Sequence, residues 1–446
     1  MYDAQIDSNQ TGNKIENKNN LINSIIIYIT MSITVTKQSE NNGELTFTLS
    51  GVDVSVANAI RRTILSDIPI VAFKTFGEQS DAVFTTNTSR LNNEILSQRL
   101  SCIPICILVN DDEYKIDDLL LEVNERNDSD TMRTITTADF KIKSISNGEY
   151  LSSAKCAEIF KPFISQTGES YFIQFARLRP RISPEIPGEA LEFTCKFSVG
   201  TAAENSMLNV VGTCAYGMTV DEDAAANALD EQQKKWQSEG LSHDAIERNS
   251  INWGLLEKKR ITIPNSFDFI VGTVGQMSNG DIVGTSCNIL VNKFKTIVQL
   301  INDGLLLTLS NSASDKTIEY VLDNEDYTVG CVISNMMFNN YIAKQNYETD
   351  KLAFCGFKKL HPHDTHSIIR IIFDERESDA SSSGHNSPGY APDNGKNSPG
   401  YAPSPLPESP PLPESDNVFK TLGLNYIKKC CKEAIEIIES IGQLFS

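Results

Sequence analysis

The 446-residue chain lacks the short motifs of the commonest enzyme classes. It has no Gly-rich phosphate loop, no Gly-x-Ser-x-Gly nucleophile turn and no His-Glu-x-x-His zinc motif. It also has no Cys-x-x-Cys pair, and its ten cysteines are too sparse for a disulfide framework. These absences argue against the familiar hydrolase and nucleotide-binding classes, and they favour a reducing, intracellular compartment.

Positive charge is scarce as well. The chain has 39 Lys plus Arg against 58 Asp plus Glu, a formal net charge of −19. Non-specific nucleic-acid affinity comes from clustered basic side chains, so we expect nucleic acid to be held by a partner. The apolar run at 21–31 is much shorter than the roughly 20 residues of a membrane-spanning helix. We interpret residues 1–32 as a polar N-terminal tail.

Regular patterning begins with a strand and a helix. The segment Gly43 to Leu49 alternates apolar and polar residues, which predicts a strand with one buried face. Asp53 or Ser55 can cap a helix that follows over residues 56–65 and stops at the next acid and proline. The inward-facing residues are Leu45, Phe47 and Leu49 on the strand and Val56, Ile60 and Ile64 on the helix.

The middle of the chain is less regular, and 91–261 is interpreted as a separate α+β domain. A strand at 267–274 then leads into an amphipathic helix. The apolar residues of that helix recur at spacings of three and four: Cys287, Leu290, Phe294, Ile297 and Ile301.

The same order of elements then repeats. The pattern predicts a strand at 305–309, a helix at 326–341, a hairpin at 352–373 and a long C-terminal helix. The apolar stripe of the last helix consists of Phe419, Leu422, Tyr426, Cys430, Ala434, Ile437, Ile441 and Leu444. Each half thus ends in an amphipathic helix that needs a partner, so we expect the two halves to pack on each other.

Residues 374–416 differ from the rest of the chain. They are rich in Ser, Pro and Gly and contain the sequence NSPGYAP twice. Such a composition cannot bury enough apolar surface to offset its conformational entropy, so the segment is expected to be a mobile tether. Its Ser-Pro steps are candidates for phosphorylation or for binding by a domain that recognises polyproline. An unregulated tether is the simpler interpretation.

Two clusters have the residue types of metal sites. His361, His363 and His366, with Cys355 upstream, match zinc ligands in type, but no second ligand pair has the usual spacing. Acidic runs at 111–113 and 221–223 are better explained as solvated loops and helix starts. We therefore predict no metal and no cofactor.

Two segments carry a resemblance to a known family. They are VDVSVANAIRRTILSDIPIVAF at 52–73 and NTSRLNNEILSQRLSCIPI at 87–105. Both resemble the alpha-like assembly subunits of multisubunit RNA polymerases, in which a small-residue helix with paired arginines precedes an Asn-Thr-Ser stretch and an Arg-Leu…Ile-Pro strand. The residues that match are Ala57, Asn58, Arg61, Arg62, Asp67, Pro69, Asn87, Ser89, Glu94, Arg99, Leu100 and Pro104.

Later segments resemble other parts of the same family. The passage at 267–301 is similar to the closing strand and dimerisation helix of the larger alpha-like partner. The segments at 324–337 and 354–371 are similar to the smaller partner. A single chain holding both resembles the fused subunits of large cytoplasmic DNA viruses, which implies the host cytoplasm and the virion as locations.

The resemblance implies an α+β fold in which two alpha-like halves pack as an intramolecular pseudo-dimer. The larger-partner half is expected at 33–90 and 262–302, with the inserted α+β domain at 91–261. The smaller-partner half is expected at 303–373 and 417–446. The dimerisation residues would be Leu290, Phe294, Ile297, Ile301, Tyr426, Cys430, Ile437 and Ile441.

The resemblance also implies a non-catalytic subunit that nucleates polymerase assembly by binding the second-largest and then the largest subunit, alongside other small subunits. Arg61 and Arg62 are the first candidates for that contact, because guanidinium groups bind carboxylates bidentately. The remaining partner-binding candidates are Asn58, Asp67, Asn87, Ser89, Glu94 and Arg99. Two alternatives stay open: a free-standing scaffold that recruits partners through the Pro-rich tether, and an acidic metal-dependent enzyme.

Overall fold

The computed structural model describes residues 32–76, 80–109, 113–165, 167–183, 185–310, 316–343, 352–374 and 415–445. Within these ranges the fold is mixed α+β, with eight α-helices and antiparallel strand pairing throughout. The predicted α+β class is therefore confirmed. The described residues fall into two compact units, the first made of those within 32–295 and 433–445 and the second of those within 296–432.

The helices are α1 (Val54–Ser66), α2 (Asn93–Ser101), α3 (Ser153–Ile159), α4 (Glu222–Ser238), α5 (His243–Leu255), α6 (Asn279–Asn302), α7 (Tyr327–Met337) and α8 (Ser415–Gln443). The strands up to α6 are β1 (Thr34–Asn41), β2 (Glu44–Ser50), β3 (Ile70–Ala72), β4 (Ala82–Asn87), β5 (Leu119–Arg126), β6 (Arg133–Thr136), β7 (Lys141–Ser144), β8 (Phe163–Ile164), β9 (Ser170–Tyr171), β10 (Gln174–Leu178), β11 (Ala190–Lys196), β12 (Ser198–Gly200), β13 (Val211–Val220) and β14 (Thr262–Thr273). The strands after α6 are β15 (Thr308–Ser310), β16 (Thr317–Asp323), β17 (Leu352–Lys358) and β18 (His366–Phe373).

The first strand and helix form as predicted. Strand β2 buries Leu45, Phe47 and Leu49, each at most 3% exposed, and lies between β1 and β14. The Asp53 side chain caps α1 by accepting a hydrogen bond from the backbone N–H of Ser55 at 2.7 Å. The predicted apolar stripe of α1 is buried, and the helix ends at its predicted acid, residue 67.

A second four-stranded sheet in the first unit has the order β4-β11-β5-β7. Its core is dominated by aromatic and aliphatic side chains, among them Phe140, Phe175 and Phe193. Strand β4 belongs to this sheet although it precedes the predicted boundary at residue 90, and β13 pairs with β14 although it precedes the predicted boundary at 261. The predicted boundaries therefore do not coincide with the sheet boundaries, because strand pairing is a long-range property that local alternation does not reveal.

The Arg-Leu…Ile-Pro segment, a strand in the family pattern, begins on a helix in this chain. Arg99 and Leu100 lie on α2, where the side chain of Asn92 accepts a hydrogen bond from the backbone N–H of Ile95 and starts the helix. Leu96 and Leu100 are four residues apart and both fully buried, which is the spacing of one helix face. The residues after α2, 103–108, have no regular secondary structure.

The second unit contains a sheet with the order β15-β16-β18-β17. The predicted hairpin is confirmed as the antiparallel pair β17 and β18. The predicted helix at 326–341 is α7, capped by the side chain of Asp326, followed by a wider π-helical turn at 338–343. Strand β16, with Tyr320 fully buried at its centre, was not identified by the sequence patterns.

The strand predicted at 305–309 is largely wrong. Gly304 adopts a φ of +70° and the backbone N–H of Leu305 donates to the carbonyl of Leu300, so these residues close the end of α6. Only the end of the predicted segment enters β15, which begins at Thr308. At the other end of the unit, α8 begins at Ser415, two residues before the predicted boundary, and residues 375–414 of the tether lie outside the described ranges.

Two sheets, one from each unit, have the same topology. The first sheet has the order β1-β2-β14-β13 and the second has the order β15-β16-β18-β17. In each sheet, the two strands that come first in sequence are adjacent, and the strand that comes last in sequence lies beside the second of them. In each case the second strand leads to an aspartate-capped helix, α1 or α7, and a long helix, α6 or α8, follows the last strand in sequence. The described fold therefore contains an internal repeat, with residues 67–210 intervening in its first copy.

Candidate functional site

The paired arginines of α1 lie at the rim of its buried face. Both Arg61 and Arg62 are half-buried, and the Arg61 guanidinium is held by its own helix. Its Nε and Nη2 atoms donate hydrogen bonds to Oδ1 of Asn58 at 3.1 and 2.9 Å. The structure thus brings two of the predicted partner-binding residues together, and Asn58 orients the guanidinium one helical turn away.

The acid at the end of α1 is engaged within the chain. Oδ2 of Asp67 lies 2.8 Å from Nζ of Lys293 on α6, and both side chains are largely shielded from solvent. The hydroxyl of Ser66 donates to the carbonyl of Arg62 at 2.8 Å and tightens the same last turn. The ion pair joins α1 to the long helix, a partner that sequence spacing alone could not indicate because the two residues are far apart in the chain.

Asn87 and Ser89 organise the turn that links β4 to α2. The Asn87 amide donates from Nδ2 to the carbonyl of Leu91 and to Oδ1 of Asn93, both at 2.8 Å. Its Oδ1 accepts from the backbone N–H of Ser89 at 3.0 Å and from the Ser89 hydroxyl at 2.7 Å. This is an Asx turn reinforced by a second side chain, so the residue at its tip, Arg90, is presented on a well-braced loop.

The last two predicted residues lie on α2. Glu94 is exposed in the first turn, where a carboxylate is favoured by the helix dipole. Arg99 is exposed near the other end, and its Nε and Nη2 donate to the backbone carbonyls of Phe175 and Gln174 at 2.8 and 2.6 Å. Arg99 therefore attaches α2 to β10. The eight candidates thus fall into two groups, one on α1 and one on the turn and helix that follow β4.

The predicted dimerisation residues of α6 are buried, with Leu290 and Phe294 fully so and Ile301 half-buried. On α8 the prediction is shifted. Cys430 and Ile441 are buried as expected, but Tyr426 and Ile437 are only half-buried. The residues of α8 that are fully buried are Ile427, Cys430, Cys431, Ala434, Ile438 and Ile441. Ile437 and Ile438 lie three and four residues after Ala434, and either spacing fits one helix face, so packing rather than the sequence pattern decides which of the two side chains is buried.

The last turns of α8 pack within the first unit. Nζ of Lys295 on α6 lies 2.9 Å from Oε1 of Glu439, and the rings of Phe47 and Phe445 meet edge to face with centroids 4.8 Å apart. Gly442 lies against Cys287, and a methyl group there would come within 3.3 Å of the cysteine Cβ. The C-terminal turns of α8 thus lie beside α6 and under the β1-β2-β14-β13 sheet.

A buried ionic cluster, which the sequence did not reveal, crosses the sheet of the second unit. Oε1 of Glu319 on β16 accepts hydrogen bonds from Nζ of Lys358 and Nε of Arg370, both at 2.7 Å. The carboxylate is 7% exposed, and burial raises its pKa. The hydrogen bonds and the two positive charges outweigh burial, so the pKa of Glu319 lies below its ordinary value.

The candidate metal residues form an ordinary turn. Oδ2 of Asp364 accepts from the backbone N–H of His361 at 2.9 Å, and Nδ1 of His361 accepts from the backbone N–H of His363 at 3.2 Å. Cys355 is buried, and burial raises its pKa to about 11. Within the described ranges no group of three or more His, Cys, Asp and Glu side chains is arranged to hold a metal ion. No helix in the described part of the chain is long and apolar enough to cross a membrane.

Residues 46–294, more than half of the chain, match the model of the RNA polymerase Rpb3/Rpb11 dimerisation domain. These residues include α1, the β4-β11-β5-β7 sheet and most of α6. The chain belongs to this family, and the predicted resemblance to alpha-like polymerase subunits is confirmed at that level.

Individual relatives come from two domains of life. The chain is 40% identical over 67 residues to the DNA-directed RNA polymerases I and III subunit rpac1 of Dictyostelium discoideum, covering 15% of this chain and 18% of the relative. It is 36% identical over 92 residues to the DNA-directed RNA polymerase subunit Rpo3 of Pyrococcus horikoshii, covering 21% and 32%. A third match, to Rpo3 of Thermococcus kodakarensis, is 46% identical over 59 residues, 13% of this chain and 20% of that relative. The matched segments span less than a third of each relative's length.

Proposed function

We propose that this chain is a non-catalytic assembly subunit of a DNA-directed RNA polymerase that joins the larger and the smaller alpha-like partner in one polypeptide. The internal repeat is the observation that carries the proposal. Two four-stranded sheets have the same strand order, and in each the second strand leads into an aspartate-capped helix. The family match spans residues 46–294, so it covers most of the first copy and stops before the second.

In this proposal, the first copy is the larger partner, assigned to 33–90 and 262–302 from sequence, with 91–261 as an inserted domain. The second copy, at 303–373 and 417–446, is the smaller partner. Within the first unit, Glu439 contacts Lys295 and Phe445 contacts Phe47, and these contacts support the proposed pairing of α6 with the end of α8. Covalent linkage would raise the effective concentration of one half for the other to the millimolar range.

Docking of the two large catalytic subunits would then begin on α1. Arg61 and Arg62 are half-buried at the rim of that helix, and the Asn58 side chain sets the direction of the Arg61 guanidinium. A guanidinium that is already ordered loses less entropy when it binds a carboxylate of a partner. The second-largest subunit would bind first and the largest afterwards, with catalysis on those two chains. The fused architecture further suggests a large cytoplasmic DNA virus, active in the host cytoplasm and carried in the virion.

The test is affinity purification of the tagged full-length chain from its native source, followed by native mass spectrometry. The proposal predicts two co-purifying subunits above about 100 kDa at one copy each, because the platform of a multisubunit enzyme is stoichiometric. Replacement of Arg61 and Arg62 by Glu should remove both large subunits. A matched control reverses the exposed basic pair Lys259 and Arg260 and should retain them. A lone chain in the purified wild-type sample would contradict the proposal.

The alternative is a free-standing scaffold that recruits partners through the Pro-rich tether. Deletion of residues 375–414 separates the two functions in the same purification. The polymerase proposal predicts that the large subunits remain, because the tether links β18 to α8 and none of the described elements of either copy lies in it. Loss of the main partner on deletion, with retention in the arginine variant, would favour the scaffold.

A further inference from the structure

A cleft lined by four arginines lies between the β4–α2 turn and strand β10 in the first unit. It has a volume of about 540 Å³. The residues that line it are Arg90, Leu91, Arg99, Met132, Gln174, Phe175, Ala176, Arg177 and Arg179. None of these residues is acidic, in a chain whose net charge is −19. The cleft is thus a local concentration of positive charge on an acidic protein.

The arginines are positioned rather than loosely exposed. The Asn87 turn presents Arg90, and two backbone carbonyls of β10 hold the Arg99 guanidinium. Arg177 donates from Nη2 to Oε1 of Gln174 at 3.2 Å. Because a guanidinium has five N–H donors and Arg99 uses two of its nitrogens on those carbonyls, donors remain for a ligand.

An apolar surface accompanies this charge. Met132 is 57% exposed on the cleft wall, and Leu91 beside it is half-buried. Arg179 forms an ion pair with Glu189, whose side chain is 8% exposed. No acidic residue lines the cleft beside Arg90, Arg99 and Arg177. Three guanidinium groups around an exposed thioether match a ligand that alternates acidic and apolar side chains.

We infer that this cleft binds an acidic, apolar-containing peptide segment of a partner protein. Nucleic acid is the less favoured ligand, because an apolar wall cannot hydrogen-bond to phosphate groups. The exposed side chain on that wall, Met132, is also not an aromatic ring on which a base could stack. Arg99 and the Asn87 turn are also candidates for binding the large subunits in the proposed function. The inference does not require that function, because it is tested on the isolated chain and would stand even if no polymerase subunit co-purified.

The test measures fluorescence anisotropy of a labelled peptide, Glu-Glu-Leu repeated four times, on titration with the full-length chain. We expect saturable binding in the range of about 10 to 100 μM, weakened by salt because the contact is electrostatic. The peptide in which Gln replaces every Glu should bind at least about tenfold more weakly. A double variant, Arg90→Gln with Arg177→Gln, should lose about tenfold in affinity, since both side chains are exposed and charge-assisted bonds are removed.

The matched control is Arg248→Gln with Arg260→Gln, which removes two exposed arginines of the same unit away from the cleft and should leave binding unchanged. Circular dichroism of each variant confirms that the fold is intact. Three results would overturn the inference. They are the absence of saturation up to about 1 mM, equal binding by the cleft variant and the wild type, or tighter cleft-dependent binding of a single-stranded oligonucleotide than of the peptide.

Discussion

Glu319 provides the sharpest test of the energetics of the second unit. Its carboxylate is nearly buried on strand β16 and accepts two hydrogen bonds of 2.7 Å from positively charged groups, Arg370 on the adjacent strand β18 and Lys358 on β17 beyond it. The replacement Glu319→Gln keeps the size of the side chain and its acceptor oxygen but removes the negative charge. Lys358 and Arg370 would then face each other across a neutral amide.

The magnitude follows from the exposure of the partners. A hydrogen bond to a charged group contributes about 1.5 to 3 kcal/mol to stability. The Lys358 and Arg370 side chains are 32% and 35% exposed, so water recovers part of their solvation when the carboxylate charge is lost. We therefore expect a loss of about 2 kcal/mol rather than the 3 to 5 kcal/mol typical of a fully buried pair.

Amide hydrogen exchange of the full-length chain, followed by mass spectrometry, measures this loss locally. Both tryptophans lie on α4 and α5 of the first unit, so their fluorescence would not report it. A loss of about 2 kcal/mol corresponds to about 30-fold faster exchange in the peptides of β16 and β18 at pH 7. The control Asp323→Asn removes an exposed carboxylate from the end of the same strand and should change exchange little.

The effect should also depend on pH with a defined sign. Because the pKa of Glu319 is lowered on folding, its stabilisation is fully present above the unfolded pKa and is lost as the pH falls through the folded pKa. The difference in protection between wild type and Glu319→Gln should therefore shrink below about pH 4. Equal exchange at pH 7, or a difference that persists unchanged at about pH 2.5, would refute the ion-cluster explanation.

Two further predictions concern packing. A methyl group at Gly423 on α8 would overlap the hydroxyl of the buried Tyr320, so Gly423→Ala should lower the free energy of unfolding, measured in urea, by about 1 to 3 kcal/mol. The control Gly284→Ala adds its methyl group to open space on a helix and should be neutral or slightly stabilising. An equal effect at both glycines would contradict this packing. Thiol labelling of the folded chain at pH 8 should be fastest at the exposed Cys102. It should be very slow at Cys287, because burial raises the pKa of that thiol to about 12. Comparable labelling rates at the two cysteines would show that the core opens.

Several elements could be predicted from the sequence because their signals are local. The cap at Asp53, the apolar stripe of α1 and the hairpin of β17 and β18 depend on residues within one or two turns or across one short loop. The long helices of the two halves, α6 and α8, are likewise predictable from their apolar spacing. The family resemblance also depends on short contiguous segments.

The incorrect expectations concern segments in which two local patterns compete. The residues around Arg99 resemble a strand of the family pattern, but the cap at Asn92 and the four-residue spacing of two buried leucines stabilise a helix. On α8 the predicted stripe contains Ile437, whereas Ile438 is the buried residue, because both lie within one helical turn of Ala434 and only packing distinguishes them.

The sequence by itself determined the class of the fold, the cap and apolar stripe of α1, the hairpin of β17 and β18 and the family to which the chain belongs. Only the tertiary structure decided which strands pair, so that β4 joins the β4-β11-β5-β7 sheet and β13 the β1-β2-β14-β13 sheet. It also decided which distant charges meet, as Asp67 does with Lys293, and which arginines share a cleft. Helix periods and caps arise from neighbours along the chain, whereas strand pairing and ion pairs arise from residues that chain folding brings together over large separations.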